Sequence, residues 1–456
     1  MSLHYVNDGI TSAQVPMAAP AAPRERRGLA APCANGRFTT LLGILDQGVV
    51  SLTNFGTTVI VGKVAGITDL GIYSLGFTVV LFALAVQECF VVAPYTVFQV
   101  GKKNGPRRML LGSMVLLGLA IAAACSLVVI VFAAATGGGS SAPLATIAVA
   151  LALALPGALL RELVRRVALA HFELPRTLLI DRGTAVVQIG CLLTLAGLGK
   201  LTATTALVAM AAGGAAGASI LLVQAKRQMR FRWHAVRAHS RDAFHFGKWL
   251  CGARLTSVLN SYVVLYLLGL MVGLDAVGGF TAAFVLIAAA NPLLMGFTNV
   301  LAPRTAHAWA AGGAASLRAV VFPATIWLTA VTAVFSAAVA LGAGQIMSFL
   351  YGPLYAQYAH VGAVLTASLL AGIIGVPSDH GLRAAQRPKA SLTANAAGLV
   401  VTITLTLVLV PFAGPVGAAY AMTLGCAVSA VLRCAAFVRL TRVQTGPSMA
   451  HVRGDQ

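Results

Sequence analysis

A small set of ionisable side chains lies inside runs of Leu, Val, Ala and Gly, and any chemistry this chain performs must use them. Asp46 sits about two turns into the first apolar run, and Glu88 lies near the middle of the second. Asp181 and Arg182 open the fifth run, while Lys248 and Arg254 belong to the seventh. Arg161 with Arg165, and Asp379 with Arg383, are spaced four apart and so share one helical face. Carboxylates in an apolar segment can carry a proton or a cation, and guanidinium forks match phosphate oxygens. Asp46 and Glu88 are therefore candidate ion-coupling groups. Arg254, Arg182, Lys248 and Arg383 are candidate substrate-binding groups. The bland alternative is self-neutralisation: Asp379 with Arg383, Glu162 with Arg165 or Arg166, and Asp181 with its neighbour Arg182. Arg254 has no acidic residue within a turn of its own helix.

The elements that hold these residues follow from composition. Hydrophobic residues make up 58% of the 456-residue chain and charged ones 10%, with a mean hydropathy of +0.87. A soluble domain is about one quarter charged, so this surface must meet lipid. The expectation is an all-α polytopic membrane protein. At about 20 residues per span plus connections the length holds roughly twelve transmembrane helices. The net charge of +20 does not imply nucleic acid, because the basic residues cluster between apolar runs as the positive-inside rule requires. Seven cysteines show no metal-ligand spacing, and Cys89, Cys125, Cys191, Cys426 and Cys434 lie in apolar runs. No metal, cofactor or disulfide framework is expected, and no phosphate loop or nucleophile elbow points to an enzyme.

In chain order the reading gives a flexible tail (1–37), a first lobe of six helices (38–224), a basic connecting loop (225–246), a second lobe of six (247–440) and a short tail (441–456). Alternate connections collect the charge: Lys102, Arg107 and Arg108, then Arg176, then Arg237 and Arg241, then Arg387 and Lys389. The opposite set holds little beyond Lys63 and Lys200. Both termini and the 225–246 loop are thereby expected on the cytoplasmic side. Mid-span prolines Pro94, Pro156, Pro292, Pro323 and Pro377 are expected to bend their helices.

The two lobes look related. Moving along the chain by 207 residues (278 − 71) places Gly66 on Gly273, Gly71 on Gly278, Tyr73 on Phe280 and Phe77 on Phe284. A helix–turn–helix unit recurring half a chain away implies two similar, pseudo-symmetric lobes, each built from the same bundle.

Three stretches resemble the multidrug/oligosaccharidyl-lipid/polysaccharide exporter superfamily, and within it the bacterial polysaccharide (O-antigen type) flippases. They are Gly66 to Gly76, with its Gly-Ile-Tyr-Ser; Tyr351-Gly-Pro-Leu-Tyr355 with the inner turn Gly381 to Lys389; and Leu409 to Ala421, with its Pro-x-x-Gly-x-x-Gly-Ala-Ala. Gln386 stands where that family commonly has glycine, and Lys63 where arginine is common. The resemblance implies two six-helix bundles facing each other around a central cavity, and a flippase for polyprenyl-pyrophosphate-linked oligosaccharide in the bacterial cytoplasmic membrane. Its partners would be the lipid-linked glycan, membrane lipids and the glycan polymerase or glycosyltransferases. A drug or organic-cation antiporter, which needs carboxylates such as Asp46, is the alternative; a non-transporting scaffold of a glycan-synthesis complex is another. The topology is testable by impermeant thiol labelling: a cysteine placed near Ser140 should react from outside, and one near Arg237 should not. The reverse pattern overturns it.

Overall fold

The computed structural model describes residues 36–100, 102, 104–136, 142–171, 173–225 and 232–443. The expected N-terminal tail lies almost wholly outside the described residues, as does the end of the C-terminal one. Helix is the only backbone form a lipid-exposed single segment can take, since every N–H and C=O must be satisfied within it. The described chain is accordingly helix after helix: α1 (Gly36–Ile60), α2 (Ile67–Gln87), α3 (Ala93–Phe98), α4 (Asn104–Thr136), α5 (Ala142–Ala170), α6 (Leu174–Gly197) and α7 (Ala203–Ala225) form the first lobe. The second contains α8 (Trp233–Met271), α9 (Leu274–Ala288), α10 (Asn291–Tyr351), α11 (Ala359–Ile374), α12 (Val376–Ala384) and α13 (Pro388–Val443).

Two of these are hairpins rather than single rods. At 1.5 Å per residue the 61 residues of α10 would extend roughly 90 Å, about three bilayer cores. Its backbone leaves helical geometry at Gly312 and Gly313, and Phe297 stacks on Trp327 with ring centroids 5.5 Å apart. The 56-residue α13 turns at Gly414 (φ 51°), which lets Ser429 donate to Asn395 at 3.1 Å. Pro411 and Pro415 flank that turn. Counting both arms of each, with α2–α3, α9 with the first arm of α10, and α11–α12 as single interrupted spans, the described residues make twelve spans in two six-helix bundles.

The prolines act in two ways. Pro94, Pro292 and Pro377 each open a new helical segment, whereas Pro156 and Pro323 remain inside unbroken helices. Pro94 has no N–H for the carbonyl four residues back, and the ladder relaxes into a π segment over Glu88–Val92. The 225–246 stretch requires a correction. It is helical from Trp233 onward, fourteen residues before the expected start at 247 (247 − 233). Its apolar side packs on the first lobe: Ala243 joins the cluster of Tyr95, Leu110 and Met114, while Arg237 and Arg241 stay exposed. Hydrophobic periodicity survives among the arginines because only one face needs to be apolar.

At one end of the bundle, here the glycine end, the lobes are fused. Gly66 and Gly273, matched in sequence, both take positive φ (97° and 119°) and open α2 and α9 alike. One turn on, α2 and α9 cross in near backbone contact: a Cβ on Gly71 would lie 2.2 Å from the Leu274 carbonyl oxygen, and one on Gly278 would lie 2.0 Å from that of Ile67. Each clash is the 207-residue image of the other, so a pseudo-two-fold axis passes between the two glycines. Thr68 donates to Asp275, its own image, across the same axis. The Tyr351–Tyr355 stretch completes the seal, with Tyr355 Oη donating to the Gly62 carbonyl at 2.9 Å.

One continuous core runs through this end, joining Leu70, Tyr73 and Val80 of the first lobe to Leu268, Val277 and Phe280 of the second. At the opposite, basic end the core divides into a cluster around Tyr95, Leu110 and Leu163 and another around Leu317, Val321 and Phe437. The inner turn carries Gln386 at φ 58°, the conformation glycine favours, at the position where the resemblance places glycine. Replacing Gly71 or Gly278 by alanine should disrupt the crossing, at roughly 1–3 kcal/mol or more because backbone must move. Gly190→Ala, where an added Cβ meets nothing within 4 Å, is the control. Detergent melting curves check it, and equal melting temperatures for all three variants would sink the idea.

Candidate functional site

Beneath the fused end, between the lobes, lies a cavity of about 770 Å³. α1 and α2 wall it on one side, and α8, α9 and the start of α10 on the other. Its lining repeats the 207-residue relation: Phe55 and Tyr262, Ser74 and Thr281, Phe77 and Phe284, and Thr78 and Val285 all face it as images of one another. The cavity therefore sits on the pseudo-two-fold axis. Aromatic rings are held in pairs, Tyr73 against Phe77 at 6.1 Å and Tyr262 edge-on to Phe284 at 6.4 Å. Among the described residues no Asp, Glu, Lys, Arg or His lines it; the polar groups are amides and hydroxyls such as Gln47, Asn54, Ser51 and Asn291.

The charged residues singled out in the sequence are placed elsewhere. Arg254 is on α8 two turns before Tyr262, roughly 12 Å toward the basic end. Its local lack of an acid is made good by the other lobe: Nε donates to Glu88 Oε2 at 3.0 Å, in the π segment that Pro94 creates. Both side chains are substantially exposed (48% and 36%). The backbones are close here too, as a Cβ on Gly247 would lie 2.5 Å from the Cys89 carbonyl oxygen. Phe90 stacks on Phe244, and Phe98 meets Phe246 edge-on. Glu88 and Arg254 thus link the lobes on the basic side of the cavity, outside its lining.

Asp46 has a different surrounding. Arg165 of α5 donates to Asp46 Oδ2 at 2.7 Å through Nη2 and to Asp181 Oδ2 at 2.7 Å through Nε. Arg161 binds the other oxygen of Asp181 at 2.6 Å, and Arg166 donates to Glu162 at 2.6 Å. Three arginines (161, 165, 166) meet three carboxylates (46, 162, 181), and the set is neutral, 3 − 3 = 0. It ties α1, α5 and α6 together inside the first lobe, with the Asp181 side chain fully covered. Sequence spacing assigned Asp181 to Arg182 and did not pair Asp46, singled out as an ion-coupling candidate, with Arg165. The usable signal was the Arg161/Arg165 pair on one face, level with two lone carboxylates on other helices.

Arg182, one residue from Asp181, points about 100° away from it and is exposed. Lys248 is exposed on α8. Arg383 holds Asp379 at 2.8 Å, and Ser391 donates to the same carboxylate. None of the three lines the cavity or joins Arg254. No group of metal-binding residues occurs among the described residues.

The sequence pattern of the family described as polysaccharide biosynthesis protein matches residues 39–309. The chain belongs to this family. No curated protein matches its sequence. Among solved structures it is similar to an inward-facing MATE family multidrug resistance transporter of the MOP superfamily, at 12% identity and TM-score 0.74, covering 91% of this chain and 99% of that one. It is similar to the lipid II flippase MurJ in an inward closed conformation, at 12% identity and TM-score 0.71, covering 88% and 90%. A MOP superfamily transporter from Pyrococcus furiosus matches at 13% identity and TM-score 0.64, covering 90% and 96%. At such identities the likeness is one of fold. The buried network predicts that Arg165→Ala lowers stability by on the order of 3–5 kcal/mol, because Asp46 is left buried without a partner and Asp181 keeps only Arg161. A detergent melt unchanged from the parent would refute this.

Proposed function

We propose that this protein moves a polyprenyl-pyrophosphate-linked oligosaccharide across the bacterial cytoplasmic membrane by alternately opening its two ends. The observation that carries this reading is the cavity on the pseudo-two-fold axis, sealed at the glycine end, with Arg254 two helical turns beyond it toward the basic end. The positive-inside rule puts the basic end, and with it both termini, in the cytoplasm. The cavity is then presented to the leaflet where lipid-linked precursors are assembled.

A lipid pyrophosphate leaving the headgroup layer needs cations in place of water. Arg254 is half exposed and offers a guanidinium fork that can exchange the Glu88 carboxylate for phosphate oxygens. A cationic cargo is less well served: no carboxylate lines the cavity among the described residues, and Asp46 is engaged by Arg165. The protein acts here as a carrier and not as an enzyme. Glycosyltransferases would supply its cargo and a polymerase would consume it.

Arg254→Ala should abolish glycan export. Arg254→Lys should retain part of it, because the charge remains and the fork is lost. An export assay at matched protein levels decides the matter, and normal export with Arg254→Ala refutes the phosphate-binding role.

A further inference from the structure

We infer that the cavity selects uncharged sugars: it receives the glycan, not the pyrophosphate, and rejects rings that carry a carboxylate. This rests on the lipid-linked glycan reading and adds to it the chemical class of the sugar. The first ground is charge. Among the described residues the lining offers no cation within the cavity, and Arg254 stands two turns outside it. A uronate ring in this space would carry an ionised carboxylate without a partner, and an unpaired buried charge is strongly unfavourable.

The second ground is what the lining does offer. Phe55, Phe77, Tyr262 and Phe284 present aromatic rings from both lobes. The negative face of an aromatic ring suits the weakly positive C–H face of a pyranose. Asn54 and Asn291 carry amides that both donate and accept, as sugar hydroxyls do. The third ground is symmetry. Because Phe55 and Tyr262, and Phe77 and Phe284, are images across the pseudo-two-fold axis, successive similar rings meet similar surfaces in the two lobes. Such a lining fits a short chain of like sugars better than one compact anionic group.

The test uses the full chain in nanodiscs and two probes. One is an undecaprenyl-pyrophosphate-linked trisaccharide of neutral hexoses. The other is the same lipid with one hexose replaced by its hexuronic acid. Binding is read by native mass spectrometry, independently of transport. The neutral probe is expected to bind at least tenfold more tightly. Ser51→Lys and Thr298→Lys, which place a cation in the lining from either lobe, should each narrow or reverse that ratio. Equal affinities, or tighter binding of the acidic probe by the parent, overturn the inference and leave the flippase reading standing. A ratio unmoved in both folded lysine variants also overturns it. Binding of neither probe overturns the lipid-linked glycan reading and the inference together.

Discussion

The close crossing of α2 and α9 is the constraint on which the rest of the molecule depends. Two backbones approach at Gly71 and Gly278 so nearly that neither residue has room for a Cβ. The contact is reciprocal, each glycine meeting the carbonyl that is the image of the other's, and it therefore defines the pseudo-two-fold axis. Everything placed along that axis inherits the relation: the Thr68–Asp275 hydrogen bond above, the paired aromatic rings below, and the cavity they enclose. The two lobes share one core at this end; at the other the clusters are distinct, and α8 packs across, with Ala243 in the first-lobe cluster.

Charge is used in two distinct ways. In the first lobe, three arginines and three carboxylates neutralise one another in a covered cluster that joins α1, α5 and α6. The cluster is not fully satisfied: Asp46 Oδ1 and Arg161 Nε are buried there without a hydrogen-bond partner. Between the lobes, among the described residues, stands the exposed pair Glu88 with Arg254. An exposed pair contributes little to stability in either arrangement, and so it can be exchanged at low cost. Its carboxylate stands in the π segment that Pro94 forces on α2, where an extra residue in the helical turn redirects the side chain toward α8.

The second lobe is not a rigid block separate from the first. α8 begins as an amphipathic helix lying on α4, with His239 at 3.0 Å from Ser113, and ends in the core of its own lobe. Further along, Thr78 donates to Tyr266 at 2.7 Å. One helix is thus bonded to the first lobe at both levels of the cavity, and any separation of the lobes has to pass through these contacts.

Most of the architecture was legible in the sequence. Low charge and long apolar runs dictate membrane helices, because unsatisfied backbone is not tolerated in lipid. The glycine–aromatic repeat disclosed the two lobes, and its glycines proved to be the crossing itself. Gly312 and Gly414 mark the turns of the two hairpins. What the sequence left open was pairing between helices distant in the chain. Arg254 looked unpartnered because its acid is 166 residues away on the other lobe. Asp181 looked paired with Arg182 because the two are adjacent, yet adjacent residues on a helix diverge by about 100°. Helical periodicity fixes which face a residue occupies, and only packing decides which other helix that face meets. For that reason the uncharged character of the cavity, which depends on five helical segments from two lobes, was decided by the tertiary structure alone.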